Sequence, residues 1–118
     1  MNTSDYQDAV ERLERPTIDR EAHAIMGLCS EAGELAALYK RVQLALRPAL
    51  PVWTPGIQRS SVASEVGDCL YYLGMLCNIH DLDIADVMAV NIAKLERRAE
   101  HGKDKAGEFE EIFRGFDR

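Results

Sequence analysis

The stretch SVASEVGDCLYYLGMLCNIH, residues 61–80, decides the fold. Val62, Val66, Cys69, Leu70, Leu73, Leu76 and Cys77 recur at three- and four-residue spacing and make one broad helical face, while Tyr72, Met75 and Ile79 occupy another side. A helix that is apolar nearly all round has to be covered by several neighbours. The chain has 118 residues, one domain's worth, and so offers this helix few partners of its own. A homo-oligomer whose subunits complete one another's core follows as an expectation, with a tetramer favoured and a dimer as the alternative.

Working outward, apolar residues recur at helical spacing between sparse breaks, and no stretch alternates as a strand would. A first helix is expected from about Ser4 to Arg15, with the thin stripe Tyr6, Val10 and Leu13, ended by Pro16. A second starts at the N-cap Asp19 and runs to about Arg47 on the series Ile25, Leu28, Ala32, Leu35, Tyr39, Val42 and Leu46. Pro48, Pro51, Pro55 and Gly56 mark a loop from Pro48 to Arg59, which holds Trp53. The third helix is expected from Ser60 or Ser61 to near His80, and the fourth from after Asp83 to about Glu100. Residues 1–100 thus read as an all-α domain of four helices in two long hairpins. Residues 101–118 read as a charged tail, with a short helix carrying Phe109, Ile112, Phe113 and Phe116 that packs on a partner subunit.

Composition narrows the function. Lys+Arg 14 against Asp+Glu 20 gives a net charge of −6, which disfavours a grip on nucleic acid polymers, since that needs a basic face. No apolar run reaches the roughly 20 residues that span a bilayer, and Met1 to Arg15 lacks the apolar core of a signal peptide. Cys29, Cys69 and Cys77 are odd in number and form no C-x-x-C, so they read as reduced core residues of a cytoplasmic protein.

Four carboxylates stand out. Glu31 and Glu34 are three apart on the second helix, and Glu65 and Asp68 are three apart on the third, so each helix offers two acids on one side. At about 100° per residue, Glu65 and Asp68 share a strip with Tyr72, Met75 and Ile79 on the most apolar helix. Carboxylates gathered in a partly dry place stay ionised only with positive charge between them. Hard oxygen donors suit Mg²⁺, or Mn²⁺, and not zinc. On the fourth helix Asn91, Lys94 and Arg98 lie on one side, able to bind a sugar or base and to neutralise phosphate oxygens. Isolated i, i+3 acids are usually solvated surface charge; the combination reads as metal ions plus a polyphosphate.

At these residues the sequence resembles the MazG-like all-α nucleotide pyrophosphohydrolases. Their pattern of E-x-x-E, then E-x-x-D, then N-x-x-K-L reads here as Glu31-Ala-Gly-Glu34, Glu65-Val-Gly-Asp68 and Asn91-Ile-Ala-Lys94-Leu95, within about Glu21 to Arg98. The resemblance implies a helical bundle completed by oligomerisation and Mg²⁺-dependent cleavage of a nucleoside triphosphate to monophosphate and pyrophosphate, in nucleotide-pool house-cleaning. By position Glu31, Glu34, Glu65 and Asp68 would carry the metal, and Tyr72, Asn91 and Lys94 would contact the nucleotide. Glu34 is chosen as the carboxylate that also orients the attacking water, Arg98 as a further phosphate contact, and Trp53 as a base-stacking arm or a loop anchor. Two features depart from the pattern. The Pro-rich loop makes the gap between Glu34 and Glu65 long, and Ser30 stands where the dUTP-hydrolysing branch often has an acid. A phosphoribosyl-ATP-type pyrophosphohydrolase and a non-enzymatic helical interaction module are the alternatives.

Overall fold

A computed structural model of the protein describes residues 1–45, 55–101 and 108–115. Its elements are α1 (Thr3–Leu13), α2 (Arg20–Ala45), α3 (Pro55–Ile79), α4 (Ile84–His101) and α5 (Glu108–Arg114), with no strand among the described residues. The all-α expectation agrees with this. Trp53 and most of the Pro-rich loop lie outside the described residues.

Several helix ends have a chemical cause. The Asn2 side chain accepts the Asp5 N–H at 2.8 Å while the Asp5 carboxylate accepts the Asn2 N–H at 3.4 Å, a reciprocal capping box at the start of α1. That helix stops at Leu13, two residues short of expectation. Glu14 is already extended, and Arg15 precedes Pro16, whose ring disfavours the helical conformation there. The Glu14 carboxylate then takes Arg20 Nε at 2.8 Å and Nη2 at 3.2 Å, tying the end of α1 to the start of α2. Asp19 Oδ1 accepts the Ala22 N–H at 3.0 Å, as its N-cap reading requires.

The start of α3 corrects the sequence reading. Pro55 and Gly56 are helical and not loop, five residues before Ser60. Proline fits the first turn because its missing N–H would lack an intrahelical partner there anyway. At the other end Asp81, at φ 53°, takes the left-handed C′ position. Leu82 N–H donates to the Cys77 carbonyl at 2.8 Å and Asp81 N–H to that of Asn78 at 3.3 Å, a Schellman stop.

The fold is an antiparallel α2–α3 hairpin with α1 laid across α3 and α4 following α3 back past α1. The register is visible in side-chain meetings: Glu31 opposite Glu65 and Asp68, Gly27 under Tyr72, and Glu21 at 2.6 Å from His80. The core is small. Val10, Ala24 and Met75 are buried together, with Tyr6, Tyr71, Tyr72, Leu76 and Ile79 packed on them. Gly74 lets α1 approach, since a Cβ there would sit 3.2 Å from Val10 Cγ2. Gln7 fastens α1 to the α3–α4 turn. Its Nε2 donates to Asn78 Oδ1 at 3.0 Å and to the Leu82 carbonyl at 2.8 Å, and its Oε1 accepts the Ile84 N–H at 2.9 Å.

Much apolar surface stays uncovered. Val62, Val66, Leu70 and Leu73 on α3 are 37–47% exposed, and Met88, Ile92 and Leu95 on α4 are 45–56% exposed. Leu70, Leu73, Cys77, Val87 and Met88 line a groove of about 460 Å³. The short helix α5 packs on α4 of its own chain. The cysteines are free, and Cys29 is exposed, which corrects its placement in the core.

Candidate metal centre and active site

The hairpin register brings acids from both helices together. One carboxylate oxygen from each of Glu31, Glu65 and Asp68 lies within 4.8 Å of the other two. Glu31 and Glu65 are half-buried and Asp68 is exposed. The arrangement follows from spacing: Glu65 and Asp68 stand one turn apart on α3, and Glu31 faces them from α2. Glu34, one turn further along α2, is exposed and not one of the three converging carboxylates.

Repulsion in this cluster is registered on Glu31. Its carboxyl is held above the usual carboxylate range, first by partial loss of water, then by the charges of Asp68, Glu65 and Glu34 and a hydrogen bond with Glu65. Three acids so placed lack a positive counterpart among themselves. A divalent cation with a preference for oxygen donors meets that requirement.

Tyr72 follows Asp68 by one turn and lies flat against Gly27. A Cβ on Gly27 would run into the Tyr72 ring at Cε1, so the absence of a side chain there is what admits the ring. Tyr72 also stands edge-on to His23, with centroids 5.9 Å apart, and to Tyr71, at 5.2 Å. Asn91, Lys94 and Arg98 lie on α4, which packs on α1 and α5, and so belong to a different helix pairing from the carboxylates. Trp53 is not among the described residues.

Tyr6 is a residue near the site that the sequence reading treated only as part of the α1 stripe. Its hydroxyl is pushed above the ordinary tyrosine range by burial and then by the Asp68 charge, which puts α1 beside the acidic cluster. No spacing rule signals this, because the crossing of α1 over α3 is a tertiary fact.

No helix among the described residues is long and apolar enough to cross a membrane. No solved structure matches the chain. The gene 37 protein of Mycobacterium phage L5 is 33% identical over 86 residues, which cover 73% of this chain and 72% of the phage protein. The MazG nucleotide pyrophosphohydrolase domain matches residues 20–103, a span that runs from the first residue of α2 past the last of α4 and holds all four acids of the two E-x-x-[ED] motifs. Matched over well more than half its length, the chain belongs to the MazG nucleotide pyrophosphohydrolase domain family.

Proposed function

We propose that this protein is a Mg²⁺-dependent nucleoside triphosphate pyrophosphohydrolase, with Mn²⁺ as an alternative ion, that cleaves between the α and β phosphorus atoms to release a nucleoside monophosphate and pyrophosphate. The observation that supports it most directly is the meeting of Glu31, Glu65 and Asp68 oxygens within 4.8 Å across two helices. That donor set is all carboxylate and suits a hard cation.

Divalent cations held there would supply positive charge for phosphate oxygens and acidify a water. The chain's own residues do the rest. Glu31, Glu65 and Asp68 hold the metal, with Glu34 as a fourth carboxylate one turn away that orients the attacking water. Tyr72 borders the bound nucleotide beside Asp68. From α4, Asn91 hydrogen-bonds the sugar or base, and Lys94 and Arg98 take up charge on the departing pyrophosphate. Hydrolysis of a phosphoanhydride needs positioning and charge neutralisation above all, and this set provides both. In this reading Trp53 contributes from the Pro-rich loop.

The working form is a homo-oligomer, a tetramer before a dimer. The uncovered leucine and valine face of α3 supports this. The setting is the cytoplasm and the role is removal of unwanted nucleotides, with no nucleic acid polymer and no membrane as partner. The test is pyrophosphate release from a panel of nucleoside triphosphates with and without Mg²⁺. Glu65→Gln is expected to lower turnover by at least about a hundredfold, since one fixed electrostatic contact to a reacting centre is commonly worth that much, while leaving the oligomer folded. Unchanged Mg²⁺-dependent turnover in that variant refutes the assignment. Activity on no triphosphate, together with no metal bound in calorimetry, favours the interaction module.

A further inference from the structure

Beside the acidic cluster, at the α1–α2 turn, the structure holds a second recess, which shares only Tyr72 with the residues given a role above. It is a cleft of about 320 Å³ whose walls mix polar and apolar atoms, bounded by Glu14 and Arg15 after α1, His23 on α2, and Tyr71 and Tyr72 on α3. Its place along the hairpin is set by helix geometry. Tyr72 is four residues beyond Asp68, about 6 Å along α3, and His23 is eight residues before Glu31, about 12 Å along α2. Tyr72 lies on Gly27 between the two, so cleft and cluster share the α2–α3 seam. That separation is comparable with the reach of a nucleotide from its base to its phosphates.

The cleft's chemistry fits a flat heteroaromatic ring. The rings of Tyr71 and Tyr72 meet at 76° and those of His23 and Tyr72 at 71°, so a planar guest laid on one face meets the edge of the next, both favourable arrangements. The Glu14 carboxylate is held in place by two bonds from Arg20. A carboxylate offers about four lone-pair sites, so it can also take a donor from a guest. Arg15 beside it offers guanidinium donors. Adjacent acceptor and donor groups match the hydrogen-bonding edge of a nucleobase.

Resting on the hydrolase reading above, we propose that this cleft is the subsite for the nucleobase, with the tyrosine rings as the stacking wall and Glu14 and Arg15 as the groups that read the base edge. Reading of the base edge then lies at the α1–α2 turn, outside the acidic motifs, which leaves the sugar to Asn91 on α4, and a triphosphate without a base is a poor substrate.

Two measurements on the full chain test this. In the first, nucleoside 5′-monophosphates are titrated in EDTA while the ring protons of His23, His80 and His101 are followed by NMR. A shift at His23 with His80 and His101 still is expected, weakened about tenfold by Arg15→Glu, since a hydrogen bond from a charged group is worth on the order of tenfold. In the second, kcat/KM with Mg²⁺ is compared for deoxynucleoside triphosphates and 2-deoxyribose 5-triphosphate. The nucleotides are expected to lead by about tenfold, a lead that Arg15→Glu narrows. Tyr71→Leu serves as a second variant, with circular dichroism to show that it folds. No movement of His23 with any monophosphate, or the same movement in both variants, overturns the subsite. Mg²⁺-dependent turnover without a His23 response removes this proposal and leaves the hydrolase standing. A His23 response without turnover removes the hydrolase and leaves the base site.

Discussion

Glu31 carries the tension of the site. It faces Glu65 and Asp68 across the hairpin with Glu34 one turn away, and its carboxyl sits above the usual range because ionisation there meets desolvation and three like charges. A folded-state pKa raised above the unfolded value means that the folded chain holds the proton more tightly. The stability so gained is present below the unfolded value and lost as pH rises through the folded one. Glu31→Gln removes that ionisation. In EDTA the wild type is therefore expected to melt lower relative to Glu31→Gln as pH rises through the carboxylate range. Mg²⁺ reverses the order. An ion that binds only the folded wild type at a hundred times its dissociation constant adds about 2.7 kcal/mol, and the variant lacks a ligand for it. Differential scanning calorimetry of both proteins at several pH values, with and without Mg²⁺, checks this. A Gln variant that keeps the full Mg²⁺ shift would place the metal elsewhere.

Among the elements, α1 has the thinnest apolar stripe and depends on polar fastening. Gln7 spends both ends of its amide on the α3–α4 turn, and Asn78 Nδ2 returns a bond to the Gln7 carbonyl at 3.0 Å. Gln7→Ala leaves a half-buried amide, a carbonyl and the first N–H of α4 without this partner. A loss of about 2 kcal/mol is expected, within the range for stranded polar groups, measured by urea unfolding. Because α1 carries Tyr6 to the side of Asp68 and its turn bounds the Glu14–Arg15 cleft, KM for nucleotides should rise too. None of this was legible in the sequence. Periodicity identified all four long helices, because a 3.6-residue repeat is a local property. It could not say that Gln7 meets Asn78, since that contact crosses 71 positions. The start of α3 was misread for a different reason: Pro55 marks a break when seen as punctuation and a first turn when seen as N1. The acids were legible as two pairs. Which of them meet depends on the hairpin register, which selects Glu31, Glu65 and Asp68 and leaves Glu34 aside.

For the whole molecule, the question is what covers α3. Only five hydrophobic residues among those described are buried, while Val62, Val66, Leu70 and Leu73 share an open face and Met88, Ile92 and Leu95 stand exposed on α4. Patches of this kind mark interaction surfaces, and a chain with a core this small has much stability to gain from association. Leu70 discriminates well because it is 47% exposed in the single chain. A charge there finds water if the protein is a monomer and is buried in a contact if it is not. Leu70→Glu should therefore leave the helical circular dichroism signal of a monomer nearly untouched, surface changes usually falling within about 0.5 kcal/mol. In an oligomer the same change strips an interface of its centre and buries an unpaired carboxylate, which the assembly relieves by dissociating. Sedimentation velocity is expected to show the wild type at two or four times 13.2 kDa and Leu70→Glu near 13.2 kDa, with turnover lost along with the assembly. A wild type that sediments at 13.2 kDa, with Leu70→Glu indistinguishable from it, would mean that the α3 face is open in solution and that the acidic cluster works, if at all, within one chain.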